Sequence, residues 1–105
     1  MTLFMMVAKH TPESCPAHHA QYKAATLAYF EQIEALSKKY GIKQIGFWND
    51  HPAHMVFSVF DAPNFDAVMG LSMEPVYMAM YGFQTIRVFP VMTGEQVYKM
   101  IKESK

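Results

Sequence analysis

Hydrophobic and polar positions divide the chain into alternating short and long periods. Leu3 to His10 is an apolar run with β-type neighbours and predicts a first strand, ended by the breaker-rich Thr11-Pro12-Glu13-Ser14-Cys15-Pro16. Pro16 suits a first helical turn, with Ser14 or Cys15 near the cap. From residue 17 to Tyr40 the positions Tyr22, Thr26, Tyr29, Phe30, Ile33, Leu36 and Tyr40 recur at helical spacing, and Gly41 is a stop. Ile42 to Asn49 predicts a second strand, Asp50-His51-Pro52-Ala53 a hairpin connection, and His54 to Phe60 a third strand. Asp61-Ala62-Pro63-Asn64 opens a second helix carrying Phe65, Val68, Met69 and Leu71. Pro75 interrupts it and restarts a turn that ends at Gly82. Phe83 to Met92 predicts a fourth strand, and Thr93-x-x-Gln96 a capping box for a C-terminal helix.

The order β-α-β-β-α-β plus a tail helix is the ferredoxin-like α+β pattern, an antiparallel four-stranded sheet in order 4-1-3-2 with both helices on one face. Residues 1–105 are expected to form one such domain. Leu3, Met5, Val7, Ile45, Phe47, Met55, Phe57, Val59, Ile86 and Val88 form an almost purely apolar set of alternating positions, expected under the helices. The opposite set mixes Phe4, Met6, His10, Gln44, Trp48, His54, Ser58, Phe60, Arg87 and Phe89. It is too apolar for open water and too polar for a dry core. A homodimer packing two such faces around a partly polar cavity would satisfy both conditions.

The Leu3-Phe4-Met5 start, the strand His54 to Asp61, and the turn Pro75–Tyr81 leading into a last strand with Pro90 resemble the dimeric α+β-barrel superfamily, in particular its small muconolactone-isomerase-like members. The segment from His10 to Pro16 is similar to the start of a related family of the same fold. The resemblance implies face-to-face pairing of two sheets. Such barrels host isomerases, haem-handling oxygenases and binding proteins, so it implies no single activity.

Composition narrows the classes. Half the residues are apolar and 17% charged, a globular balance. Nine basic residues match nine acidic ones, which leaves no electrostatic footprint for nucleic acid or an anionic membrane. No apolar run approaches the roughly 18 residues of a membrane span, and a single cysteine makes no internal disulfide, so a cytoplasmic protein is expected. Ten methionines read as flexible core filler, since no tight Met/His cluster points to copper(I).

Candidate chemistry gathers at one end of the sheet. Strands 1 and 3 are expected as antiparallel neighbours, which puts His10 beside His54, while the loop with Glu13 and Cys15, the turn with His18 and His19, and the hairpin with His51 all leave from that edge. His10, Cys15, His19 and His54 are therefore candidate ligands for a transition metal (zinc, copper or iron). His18 and His19 diverge by about 100° on a helix and would not both ligate. At a helix start beside histidine, Cys15 would favour the thiolate, although a small buried residue there has the same sequence. A second reading is an isomerase-type enzyme moving protons on a small organic acid, with His54 as base, Arg87 as carboxylate anchor, and Trp48 and Ser58 lining the pocket. A third is a structural or regulatory dimer whose loop histidines serve capping and solubility.

Overall fold

The computed structural model describes residues 2–104; Met1 and Lys105, the ends of the expected domain, lie outside the described residues. Four strands form one antiparallel sheet: β1 (Thr2–Lys9), β2 (Lys43–Asp50), β3 (Met55–Ala62) and β4 (Thr85–Val91), in spatial order β2-β3-β1-β4. The expected 4-1-3-2 order is therefore the observed one. The central pairing places Met6 opposite Ser58 and Val88, and Ala8 opposite Val56 and Ile86.

Those pairs correct the assignment of faces. Residues directly opposite share a face, so Phe4, Met6 and Ala8 of β1 lie with Ser58 and Phe60 of β3 and with Ile86 and Val88 of β4. This is the helix-covered face: Phe4, Met6, Ala8, Phe60 and Ala62 join Ile42, Val68 and Leu71 in the buried core. Leu3, Met5, Val7, Met55, Phe57 and Val59, expected inside, occupy the open face. In β1 and β3 the apolar positions are thus the uncovered ones and the mixed positions lie under the helices, whereas Phe47, Ile86 and Val88 are on the covered face as expected and Trp48, Arg87 and Phe89 on the open one. In β2 a bulge between Gln44 and Gly46 splits the alternation. Gln44 joins Phe47 and Asn49 beneath the helices, while Gly46 and Trp48 face outward. The indole of Trp48 lies against Gly46, in space that a Cβ would fill.

The helical layer comprises α1 (Ala20–Lys39), α2 (Phe65–Ser72) and α3 (Pro75–Tyr81). α1 starts later than residue 17, because His19 is its N-cap and its Nδ1 accepts from the Tyr22 amide at 3.4 Å. It stops at Tyr40, followed by Gly41 at φ +70°, the left-handed stop expected there. Asn64 caps α2, accepting from the Ala67 amide at 2.8 Å, and Pro75 occupies the first turn of α3. The α2–α3 junction is clamped to the end of α1, where Glu74 Oε1 accepts from Tyr40 Oη at 2.7 Å and from Lys39 Nζ at 2.9 Å.

The C-terminal half of α1 packs onto the core through Ile33, Leu36 and Tyr40. Its N-terminal half, bearing Thr26, Tyr29 and Phe30, instead roofs a cavity that runs toward the His10 end of the sheet. α4 (Gly94–Glu103) starts at the expected capping box, with Thr93 and Gln96 bonded reciprocally at 2.8 and 3.0 Å. It makes at most marginal contact with the other elements and leaves Tyr98, Met100 and Ile101 exposed. The radius of gyration is accordingly 15.4 Å, against about 13 Å for a compact chain of this length. Among the described residues no helix is long and apolar enough to cross a membrane.

Candidate metal centre

The edge where β1 ends and β3 begins brings two histidines together through the backbone. The His10 amide donates to the His54 carbonyl at 3.2 Å, one rung beyond the β1–β3 ladder. His54 has φ +55°, a left-handed conformation that few residues other than glycine, asparagine, aspartate and histidine adopt readily. The two rings meet edge to face at 5.2 Å between centroids, and the His51 ring lies 5.7 Å from that of His54.

A short 3-10 turn, Pro12–Ser14, carries the chain from β1 over this edge. Thr11 caps it, and Ser14 Oγ ties it to the Phe83 carbonyl at 3.3 Å. The tether delivers Cys15, 3% exposed, above the two imidazoles. One ligating atom from each of His10, Cys15 and His54 falls within 4.8 Å of the other two. Tetrahedral coordination with bonds of about 2.0–2.3 Å requires ligand separations of roughly 3.3–3.8 Å. Side-chain rotation over about 1 Å therefore closes the set around an ion.

The electrostatics suit that use. Both ring nitrogens of His10 and Nδ1 of His54 are buried without a hydrogen-bond partner. Burial holds His10 below the ordinary imidazole pKa, and the neighbouring imidazoles of His54 and His51 push the same way. Gln84 pulls in the opposite direction, although no bond of ordinary hydrogen-bond geometry reaches either His10 nitrogen. The neutral ring that results is the form that ligates metal.

Not every candidate joins the cluster. His19 is occupied in capping α1, and its ring stacks on Tyr22 at 3.8 Å, which in turn stacks on Phe83 at 4.3 Å. His18 and Glu13 are exposed. Ser58 does line the cavity, where it donates to Gln44 Oε1 at 3.3 Å. Arg87 and Trp48 project from the other side of the sheet: Arg87 pairs in register with Val7 and lies over the Phe89 ring, and Trp48 is 56% exposed. Arg87 and His54 do border a shallow outer groove at the same sheet end, but no guanidinium enters the cavity. The cavity has a volume of about 170 Å³ and runs from His10 and Cys15, past Ala8 and Ser58, to Tyr29 and Tyr77. In the sequence Tyr29 shows only the helical spacing of any core position, whereas Tyr77 and Tyr81, near the end of the second helix, are within reach of this end of the sheet without a fixed direction, and all three line the cavity. The hydroxyls of Tyr29 and Tyr77 lie 3.5 Å apart.

No protein-family model and no curated protein matches the sequence. Among solved structures the chain is similar to protein Atu4242 from Agrobacterium tumefaciens, with 11% identity over 90% of this chain and 94% of that one and a TM-score of 0.60. It is also similar to a structure titled antibiotic biosynthesis monooxygenase, with 11% identity over 89% and 98% and a TM-score of 0.59. At that identity the likeness concerns architecture alone: the chain has a ferredoxin-like α+β fold.

Proposed function

We propose that this is a homodimeric transition-metal-binding protein, with His10, Cys15 and His54 as the protein ligands of one ion per chain. The observation that carries the reading is the set of three orphaned ring nitrogens packed against a buried thiol. Leaving a buried polar atom unpaired costs about 1–3 kcal/mol, and an ion would satisfy one nitrogen of each ring at once. Two imidazoles and a thiolate suit a borderline-soft ion such as zinc, and three protein ligands leave a coordination position open toward the cavity. Binding releases the thiol proton of Cys15 to solvent, so affinity rises with pH. An unpaired thiol used in this way fits a reducing compartment such as the cytoplasm.

The dimer reading rests on the open sheet face. Leu3, Met5, Val7, Phe57, Val59 and Phe89 form a contiguous apolar surface on a chain whose α4 also lacks a partner. A second copy of this chain on that face would bury it, with Arg87 at its margin.

Zinc titration of metal-stripped protein by calorimetry tests the metal reading. One zinc per chain is expected, with binding lost in Cys15→Ser and in His10→Ala. Equal zinc affinity in both variants and the wild type would overturn it.

A further inference from the structure

We infer that the cavity beside the triad is a binding site for an uncharged molecule about the size of one aromatic ring that carries a hydrogen-bonding oxygen. The inference deepens the metal reading by naming what occupies the space next to the ion, yet it stands on the cavity walls themselves.

Size sets the first limit. A volume of about 170 Å³ compares with the cavity of about 150 Å³ that accepts benzene in a well-studied engineered protein. Charge sets the second. Among the described residues no Lys, Arg, Asp or Glu lines the cavity, so a carboxylate or ammonium entering it would be desolvated without a counter-charge. Its walls are chiefly apolar, with Met6, Ala8, Phe60, Ile86 and Val88 contributed by the sheet.

The uncharged polar side chains on the cavity walls include Asn49, Ser58 and Gln84 beside the two tyrosines. Tyr29 and Tyr77 make a single bond to each other, hydroxyl to hydroxyl, and no other side-chain bond. Two hydroxyls sharing one bond leave one proton unspent. Burial pushes both phenols above their ordinary pKa, so both remain protonated donors at neutral pH. Ser58 has already given its proton to Gln44, so it can only accept. A ring-sized guest with a hydroxyl or carbonyl oxygen would take the tyrosine proton, and a hydroxyl guest could also donate to Ser58. An anionic guest would meet no cation other than the ion itself.

Three probes of equal ring size and different charge test this: phenol, benzoate and benzylammonium, titrated at pH 7 into metal-free and into zinc-loaded protein, with methyl shifts followed by NMR. In metal-free protein, phenol is expected to shift the methyls of Ala8, Ile86 and Val88 and to bind at least tenfold more tightly than either ion. Tyr77→Phe should weaken phenol severalfold and leave toluene unchanged. Comparable binding of benzoate and phenol by metal-free protein would overturn the inference, as would shifts confined to Val7 and Val59 on the open face or no binding at all. Because this arm contains no metal, its failure is read separately from a failure to bind zinc. Zinc-loaded protein then reports whether a guest reaches the ion.

Discussion

The amide of His10 donates to the carbonyl of His54 at 3.2 Å, so the backbone bond that extends the β1–β3 ladder also holds the two imidazoles edge to face. The geometry of the centre is thus set by strand pairing, with His54 in a left-handed backbone conformation where the hairpin enters β3. This separates two roles that substitutions can isolate. His54→Asn keeps a residue tolerant of positive φ and removes the imidazole. It should fold with nearly wild-type stability and lose zinc binding. His54→Val should lose binding as well and unfold more easily by about 1–2 kcal/mol, the cost of a left-handed β-branched residue. Urea denaturation of both metal-free variants makes the comparison.

A site poised for an ion is a weakness without one. His10 is 9% exposed with both ring nitrogens unpartnered. Replacing it by leucine removes that penalty, and metal-free His10→Leu should be more stable than metal-free wild type by about 1–2 kcal/mol. Adding zinc at a hundredfold excess over Kd should stabilise the wild type by about 2.7 kcal/mol and leave the variant where it was. Thermal melts with chelator and with zinc report both signs.

The sheet order, both helix stops and the meeting of His10, Cys15 and His54 were legible from the chain, because the element order implies which strands adjoin and breakers such as Gly41 and Pro75 act locally. The faces of β1 and β3 were not. Purity of apolar character suggested that Leu3, Met5 and Val7 lie inside, whereas the register of Met6 with Ser58 and Val88 puts the mixed set beneath the helices. Alternation alone says which residues share a face, not which face is covered. Arg87 and Trp48 do lie on the open face, as expected, beside Val7 and Phe57; the inversion of β1 and β3 separates them from Ser58, which lies beneath the helices. The bulge at Ile45 has no signature beyond a glycine that follows it, and the capping role of His19 depends on a helix start that Pro16 had suggested three residues earlier.

The open face makes a separate prediction. Phe57→Lys places a charge at its centre, on a strand paired on both sides. Sedimentation should show wild type as a dimer and this variant as a monomer with unchanged zinc stoichiometry, since all three ligands come from one chain.

Acid should weaken the clamp between α1 and α3. Lys39 and Tyr40 hold the Glu74 carboxyl below its ordinary value of 4.5 by hydrogen bonding to it. The folded chain thus binds this proton less readily than the unfolded one. The clamp contributes fully above the unfolded value, and the contribution is lost as pH falls through the lower folded one. The stability difference between wild type and Glu74→Gln should therefore be largest at neutral pH, begin to shrink below 4.5 and disappear in stronger acid. Denaturation curves at several pH values measure it.

The central claim is that one buried thiol and two imidazoles bind a single ion. Cobalt(II) titration of the metal-stripped protein addresses it most directly, because thiolate ligation gives a near-ultraviolet charge-transfer band and tetrahedral geometry gives intense visible bands. One equivalent per chain should produce both. Cys15→Ser should abolish the charge-transfer band, and His54→Asn should abolish tight binding. A cobalt spectrum resembling the free aquo ion, or a thiolate band unchanged by His54→Asn, would contradict the account.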